Sequence, residues 1–543
     1  HDKEKKAFEK ELEHLRKIAQ VISPADGYGN PAEYDVEEQY NRIGERLNDS
    51  RVDYEEDLKK LETKLAQAQE QLQKVQYALE TDTEVQDAEK LELTLIEEDF
   101  DFKKKKAIPT TTNDQESFVK VFRHHGGTRR TAQLFTKEKT LPQSIDISEI
   151  NLDDVGQEAL AEALKKNQTI VELILKPREI SREGTKAIAK ALKLNKTLTR
   201  LKVNGDRIHD EGRSALAELL KVTKAITKFT LEYCKSQGKG IEALIEAFKF
   251  NKTVTNLCLK ENLFSSKETS GLAEVLKTNQ TIANFTISGG KAPGITNIIE
   301  SLEVNQSVRK LRIRYTEMAC EGAKTLARAL RVNQTITTVD LTGNEIGDEG
   351  IEELSEALKV NRSVTSLVLT YNQIDCSIEA LAAVFTVNQT LADLEIRENK
   401  AQSFNVEPLA EALKTNRTIK RLVLAGNRQI GKEGVKSLLE MLKVNKTITH
   451  FDFSQSLLGD EGAQTLAEAI SVNQTVTNLN VERTEIGTEG AKLLAEAFKI
   501  NRTIIELSLA SNFFDEEGAN VLTEAIKANQ TITTPLEEIL SYQ

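Results

Sequence analysis

From residue 145 onward, apolar and polar positions follow one order that returns about every 28 residues. A short apolar-x-apolar segment, such as Val339 to Leu341, comes first, and an amphipathic segment with apolar residues at i, i+3, i+4 and i+7 follows. Alternation predicts a strand with one buried face, and the second spacing predicts a helix with one buried stripe. Each unit is therefore predicted to be a strand, a turn and a helix.

The units are joined at a recurrent N-x-[ST]-apolar sequence, whose Asn we call the junction Asn. Most steps between junctions are 28 residues, and Thr223 fills the one register that lacks an Asn. Steps of 26 before Asn305, 27 before Asn388 and 29 before Asn445 are expected to reflect small deletions or insertions in surface turns. The junctions are Asn167, Asn195, Asn251, Asn279, Asn305, Asn333, Asn361, Asn388, Asn416, Asn445, Asn473, Asn501 and Asn529. Repetition at this period is typical of a solenoid.

A second polar residue, which we call the turning Asn, stands three positions after the strand's second apolar residue. It is expected to hydrogen-bond backbone groups that have left the strand ladder, and so to form a column along the stack. This position holds Asn262, Asn344, Asn372, Asn399, Asn427 and Asn512. Cys234 takes the same position in its unit. Its role is therefore expected to be structural, because a buried Cys behaves as a small apolar residue.

With some fourteen copies that agree in spacing, residues 145–531 resemble the ribonuclease-inhibitor-like class of leucine-rich repeats. The resemblance implies an α/β solenoid, a horseshoe with a parallel sheet inside and helices outside, occupying residues 144–543 in about 14 repeats. It does not imply a particular ligand, because function belongs to sites rather than to folds.

The sequence pattern of residues 1–110 predicts an all-α, coiled-coil arm, with a short helix over 1–24 and a longer helix over about 33–106. Apolar residues in its 54–79 portion alternate in steps of four and three, which is a heptad seam. The seam consists of Tyr54, Leu58, Leu61, Leu65, Ala68, Leu72, Val75 and Leu79. A homodimer, a bundle with residues 1–24, a partner-binding helix and a helix folded onto the chain's own body all fit this pattern. Residues 111–143 are predicted to be a linker and an N-terminal cap for the first repeat.

Composition narrows the classes of function. A net charge of −12 and a pI near 5.4 speak against non-specific nucleic-acid binding, which needs a basic surface. The four cysteines form no CxxC pair, so neither a zinc site nor a disulfide framework is indicated. No apolar stretch is long enough for a membrane span. The absence of a cysteine pattern for disulfides favours a cytoplasmic protein, and so do the glycosylation sequons at nearly every junction, where glycans would crowd the stacked units.

The sequence offers no recognisable catalytic, cofactor or metal site. It has no phosphate-binding glycine-rich loop, and its six histidines are scattered. The informative surface is the concave strand face, which we expect to be basic toward its N-terminal half and more acidic beyond. Its candidate partner-binding residues are Arg200, Lys202, Lys228, Lys260, Lys310, Arg312, Arg314, Asp340, Asp393 and Glu395.

Three cations at Lys310, Arg312 and Arg314 alternate along one predicted strand, which predicts an acidic partner segment. The alternative is neutralisation by neighbouring carboxylates such as Glu317, or by solvent.

The function predicted from these features is a non-catalytic protein-interaction scaffold, with cytoskeletal or ciliary assemblies as the favoured setting. A helical arm before such repeats also resembles the broad plan of the tropomodulin group of actin-filament cappers, which has far fewer repeats. Two alternatives stay open: a regulator of a small GTPase, similar to the Ran GTPase-activating protein, and an inhibitor or immune sensor similar to the ribonuclease inhibitors.

Overall fold

In the computed structural model of the chain, the described residues are 144–147, 154–176, 180–234, 238–290, 292–399 and 405–540. All of them lie in the second of the chain's two units, Pro109–Gln543. The predicted arm of residues 1–110, its seam at 54–79 and the predicted cap at 111–143 lie outside the described residues.

Fourteen short strands form one parallel sheet in which the spatial order is the sequence order, from β1 to β14. Each strand therefore pairs only with the strands of the units before and after it. The strands are β1 Ser144–Asp146, β2 Glu172–Leu175, β3 Arg200–Asn204, β4 Lys228–Glu232, β5 Asn256–Lys260, β6 Asn284–Ser288, β7 Lys310–Arg314, β8 Thr338–Asp340, β9 Ser366–Val368, β10 Asp393–Glu395, β11 Arg421–Val423, β12 His450–Asp452, β13 Asn478–Asn480 and β14 Glu506–Ser508.

A helix follows each strand. The helices are α1 Asp154–Lys166, α2 Arg182–Leu194, α3 Asp210–Val222, α4 Lys239–Phe250, α5 Ser266–Thr278, α6 Ile295–Glu300, α7 Ala319–Val332, α8 Gly347–Val360, α9 Ile378–Val387, α10 Glu407–Thr415, α11 Gly431–Val444, α12 Gly459–Val472, α13 Thr488–Ile500, α14 Glu516–Ala528 and a short terminal α15 Leu536–Ile539. Three 3-10 turns lie at Gly205–Arg207, Ser301–Glu303 and Arg428–Ile430.

The core lies between the sheet and the helices and runs the whole length of the stack. In β7, Leu311 and Ile313 are fully buried, while the residues on either side of them face away from the helices. In α7, Leu326 and Leu330 belong to the buried stripe. The predicted α/β leucine-rich-repeat solenoid is thus confirmed, because period-2 strands and period-3.6 helices bury their apolar faces against each other.

Junction Asn residues connect each unit to the one before it. Nδ2 of Asn333 donates to the carbonyl of Leu302 at 2.8 Å and to the carbonyl of Asn305 at 2.9 Å. Its Oδ1 accepts from the backbone N–H groups of Thr335 and Ile336. One amide therefore ends a helix, starts the next strand and satisfies carbonyls of the preceding unit.

Turning Asn residues form the column that their repeat position predicts. Nδ2 of Asn344 donates to the carbonyl of Ile313 at 2.6 Å, and its Oδ1 accepts from the backbone N–H and the hydroxyl of Thr316. The residue before it, Gly343, has a φ of +70°. In other units this left-handed position is held by larger residues, including Tyr315 at +52°.

The shortest unit departs from the prediction that length changes fall in surface turns. Helix α6 has only six residues, Ile295–Glu300, and continues as the 3-10 turn Ser301–Glu303. The missing residues before Asn305 therefore shorten the helix itself. The extra residue before Asn445 does accompany a turn, because Arg428–Ile430 forms a 3-10 turn just ahead of α11.

Candidate protein-binding surface

The predicted surface residues lie on the sheet face opposite the helices, which we call the open sheet face. Strand pairing aligns Arg200 with Lys228, and Lys202 with Thr230. Lys310, Arg312 and Arg314 alternate along β7, with the buried Leu311 and Ile313 between them. The regular register therefore places side chains of successive repeats in rows across the strands, about 4.8 Å apart.

Glu232, at the end of β4, neutralises part of the N-terminal half of this face. Lys176 Nζ lies 2.5 Å and Lys202 Nζ lies 2.8 Å from its carboxylate, whose side chain is only 5% exposed. Burial by itself would raise the pKa of Glu232, but the two lysine hydrogen bonds outweigh burial and hold that pKa below its usual value. Arg200 lies 3.5 Å from Glu172. Two of the predicted cations, Arg200 and Lys202, therefore form ion pairs within the chain.

Arg314 also forms an ion pair within the chain. Its guanidinium donates through Nε, at 2.8 Å, and through Nη2 to the carboxylate of Asp340 on β8. These hydrogen bonds raise the pKa of Arg314 despite its partial burial. Asp340 is only 2% exposed, so it lies beneath Arg314 and is not available on the open surface. The carboxylate that neutralises Arg314 is therefore Asp340 on the neighbouring strand and not Glu317.

In the C-terminal half, the predicted acidic residues belong to an ion-pair network. Arg397 contacts Glu395 at 2.9 Å and Asp452 at 2.8 Å, and Arg421 contacts the second oxygen of Glu395 at 2.9 Å. Asp393 forms no ion pair with any described residue. The acidity of this half is therefore largely balanced by arginines from nearby strands.

Four cations on β4, β5 and β7 differ from these, because no described carboxylate lies within ion-pair distance of them. They are Lys228, Lys260, Lys310 and Arg312. Between them, β6 presents only neutral polar side chains, such as Asn284 and Thr286. We call these four residues the cationic strip; from β4 to β7 it spans about 15 Å.

Cys258 lies inside the cationic strip, opposite Thr230 of β4. Burial raises the pKa of its thiol, and the nearby charges of Lys260, Lys228 and Lys202 only partly offset this effect. The thiol is therefore protonated at neutral pH and contributes a compact, weakly polar floor to the strip.

A cavity of 510 Å³ lies at the C-terminal end of the open sheet face, among β11 to β14 and the segment before α15. Its walls carry both signs of charge, from Arg421 and Asp452 to Glu506 and Glu538. Thr534 Oγ1 accepts a hydrogen bond from the N–H of Leu507, so the chain itself covers part of the last strand's edge.

Glu232, the acceptor for two lysines, was not among the residues predicted from the sequence. Lys176 directly follows β2 and Glu232 is the last residue of β4, so this ion pair reaches across the unit of the intervening strand β3. The available signal was the position of Glu232, which directly precedes the left-handed residue of its unit, as Arg314 and Arg397 do in theirs. Residues at that position in different units lie close enough to form ion pairs.

No group of three or more His, Cys, Asp or Glu residues has metal-binding geometry among the residues that the structure describes. None of the described helices is both long enough and apolar enough to cross a membrane.

Five segments of the chain match the family model described as leucine-rich repeat: residues 194–217, 332–355, 415–439, 444–467 and 472–495. No curated protein sequence matches the chain.

Solved structures with some similarity include leiomodin-1 actin-binding site 2, at 20% identity over 23% of this chain and 73% of that one, with a TM-score of 0.21. The yeast complex of Rad7 and Elc1 matches at 17% identity over 75% and 95%, with a TM-score of 0.41. The leucine-rich-repeat protein LegL7 from Legionella pneumophila matches at 16% identity over 55% and 97%, with a TM-score of 0.36.

Proposed function

Because the solenoid is built of leucine-rich repeats, a fold that serves protein interaction, we propose that this chain is a non-catalytic scaffold whose open sheet face binds an acidic segment of a partner protein. The observation that carries the proposal is the cationic strip. Other cations of this face, such as Lys202 and Arg314, are matched by carboxylates, whereas the strip is not. Unmatched charge on a surface favours a partner of the opposite sign.

The size of the strip defines the partner segment. Its span of about 15 Å across four strands corresponds to roughly five residues of extended chain, at about 3.3 Å per residue. The neutral side chains of β6 leave room for this backbone to lie across the strands. A short run with three or four carboxylates therefore suits the strip.

The test is a double charge reversal, Lys310→Glu with Arg312→Glu. Arg314 is left intact because its loss would strand the buried Asp340 and perturb the fold. We expect binding of a glutamate-rich synthetic peptide to the full chain to weaken by about tenfold, since each exposed charge contact is worth up to about 1 kcal/mol. The same peptide should bind less tightly as salt increases.

The matched control reverses two exposed helix lysines, Lys436→Glu and Lys527→Glu, which changes the net charge by the same amount. Equal weakening by this pair would mean that overall charge rather than the strip governs binding. Unchanged affinity in the Lys310 and Arg312 variant would overturn the proposal.

The arm completes the proposal, and here the support is the heptad seam in the sequence. The arm dimerises the chain or binds a second partner, in a cytoplasmic assembly such as the cytoskeleton or a cilium. Light scattering on the full chain tests the dimer. Replacing two seam residues, Leu65→Lys and Leu72→Lys, should halve the measured mass if the seam joins two copies. A monomeric native chain would remove the homodimer and leave partner binding.

A further inference from the structure

A second, separate surface runs along the edge of the stack where helices end and strands begin. In ten described repeats, the residue just before the junction position is a large apolar residue with between 47% and 63% of its surface exposed. These residues are Leu194, Val222, Phe250, Val304, Val332, Val360, Val387, Val444, Val472 and Ile500. They precede junction residues that are themselves buried, Thr223 after Val222 and an Asn in the other nine repeats, so the apolar position is tied to the most regular feature of the repeat.

The ladder of junction Asn residues keeps these apolar residues in one row. Nδ2 of Asn279 donates to the carbonyl of Asn251 at 3.1 Å, and the same contact joins other adjacent junctions. The residues just before the junctions therefore follow one another along the stack in the order of the repeats. Single exposed apolar residues are ordinary on a protein surface, but a row at one repeat position forms a ridge.

The N-terminal portion of the ridge, at Leu194, Val222 and Phe250, differs from the rest in charge. Exposed lysines that lack a described ion-pair partner flank it at Lys193, Lys196, Lys224 and Lys252. We call these seven residues the basic ridge. Two further lysines nearby are paired with Glu218 and Glu246 on their own helices.

Farther along the stack, the arginines after the junction Asn are turned inward. Arg362 Nη1 donates to the carbonyls of Lys359 and Asn361, and Arg417 donates in the same way to its own helix end. These arginines complement the negative end of the helix dipole. Lys196, Lys224 and Lys252 occupy the same position but form no hydrogen bond of this kind. Their charge remains available to a ligand.

We propose that the basic ridge binds an acidic amphipathic helix of a partner protein. The apolar residues of such a helix form one stripe along its length, which suits the row of apolar residues on the ridge. Its carboxylates flank the apolar stripe, where they meet the unpaired lysines. The basic ridge and the helix thus complement each other in apolar character and charge.

Two other occupants fit less well. A second copy of the ridge would bring the lysines of both copies together, which is repulsive. An anionic membrane would meet Glu218 and Glu246, whose side chains are 59% and 50% exposed beside the ridge, as well as the lysines. A helix about 10 Å wide covers the apolar row and leaves those carboxylates in water.

The experiment uses the full chain and a fluorescent four-heptad peptide with Leu at its a and d positions and Glu at its e and g positions. We expect the chain to bind this peptide, and the double variant Val222→Ser with Phe250→Ser to weaken binding by about tenfold. The matched control is Val472→Ser with Ile500→Ser, which makes the same type of change at the same repeat positions. It should alter the affinity by less than about twofold.

Charge is tested by Lys196→Gln, Lys224→Gln and Lys252→Gln together, because Gln occupies this position in other repeats and is compatible with the fold. This variant should bind the acidic peptide several-fold more weakly and should lose most of the salt dependence. A peptide with Lys in place of Glu should not bind.

Three results would overturn the proposal: no binding of the acidic peptide, equal loss in the Val472 and Ile500 control, or no effect of the lysine variant. Vesicles of phosphatidylcholine with and without phosphatidylserine provide the remaining comparison. Vesicle binding that depends on Phe250, without peptide binding, would assign the ridge to membranes. Loss of peptide binding at the ridge with unchanged binding at Lys310 and Arg312 would leave the proposed function intact.

Discussion

Replacing Glu232 by Gln is expected to lower the stability of the N-terminal repeats and, at the same time, to strengthen their binding of acidic ligands. The carboxylate is almost fully buried and accepts hydrogen bonds from Lys176 and Lys202. A hydrogen bond to a charged group is worth about 1.5–3 kcal/mol, but both lysines keep part of their surface in water. A net loss of about 2 kcal/mol is therefore expected, below the cost of stranding a fully buried charge.

The pH dependence follows from the sign of the shift. The pKa of Glu232 in the folded chain lies below its usual value, so its contribution is complete above the unfolded pKa of about 4.3. That contribution is lost as the pH falls through the lower, folded pKa. The difference in stability between the native chain and the Glu232→Gln variant should therefore be largest near neutral pH and should disappear in acid.

Cys234 provides a local assay. It is 2% exposed and lies two residues after Glu232, so its thiol reacts only when this part of the array opens. In a chain that keeps this cysteine alone, a loss of 2 kcal/mol should speed labelling at fixed pH by about 30-fold. Glu395→Gln, which removes a carboxylate that also has two cationic partners, is the matched control and should leave the rate at Cys234 unchanged. Equal rates for the native chain and the Glu232→Gln variant would refute the reasoning.

Three further predictions concern the repeat itself. Asn344→Ala should destabilise the chain by about 3 kcal/mol in urea denaturation, because it strands several buried backbone groups, and a loss under about 1 kcal/mol would contradict this. Gly343→Ala should lower the free energy of unfolding more than Gly347→Ala. Both glycines have a left-handed φ, but a Cβ at 343 would lie 2.2 Å from the Tyr315 ring, whereas a Cβ at 347 would have no atom within 4 Å. Equal losses of stability would show that the Tyr315 ring moves aside without cost. Alkylation of Cys258 should rise with pH only above the range of an ordinary thiol, because burial raises its pKa, and an unshifted rate profile would contradict this.

The fold could be predicted closely because the same local signals occur in every unit. A strand at Val339 to Leu341, a turning Asn344 and a helix opening at Gly347 each follow from short-range spacing. The structure has the turning Asn and the start of the helix at those residues, and the strand one residue earlier, at Thr338–Asp340. Hydrogen bonds of the Asn ladders were also foreseeable, since an Asn at a fixed offset meets the same backbone groups in each repeat.

Charge pairing on the open sheet face could not be predicted in the same way. Partners there are set by which long side chains reach across a strand, as Arg397, two residues after β10, reaches Asp452 on β12. That reach depends on side-chain rotamers and on the twist of the sheet, neither of which has a sequence period. The alternating cations of β7 were visible in the sequence, but only the structure separates Arg314 from Lys310 and Arg312.

The Asn ladder also has a direction. Among the described repeats, from Asn195 onward, each junction Asn donates to a carbonyl about 31 residues earlier, and most of them donate also to one about 28 residues earlier. Carbonyl groups of one unit therefore lack this hydrogen bond until the ribosome has added the junction Asn of the following unit. We therefore expect a nascent chain to consolidate its solenoid one repeat behind synthesis, with the most recent unit always incomplete until the next junction emerges.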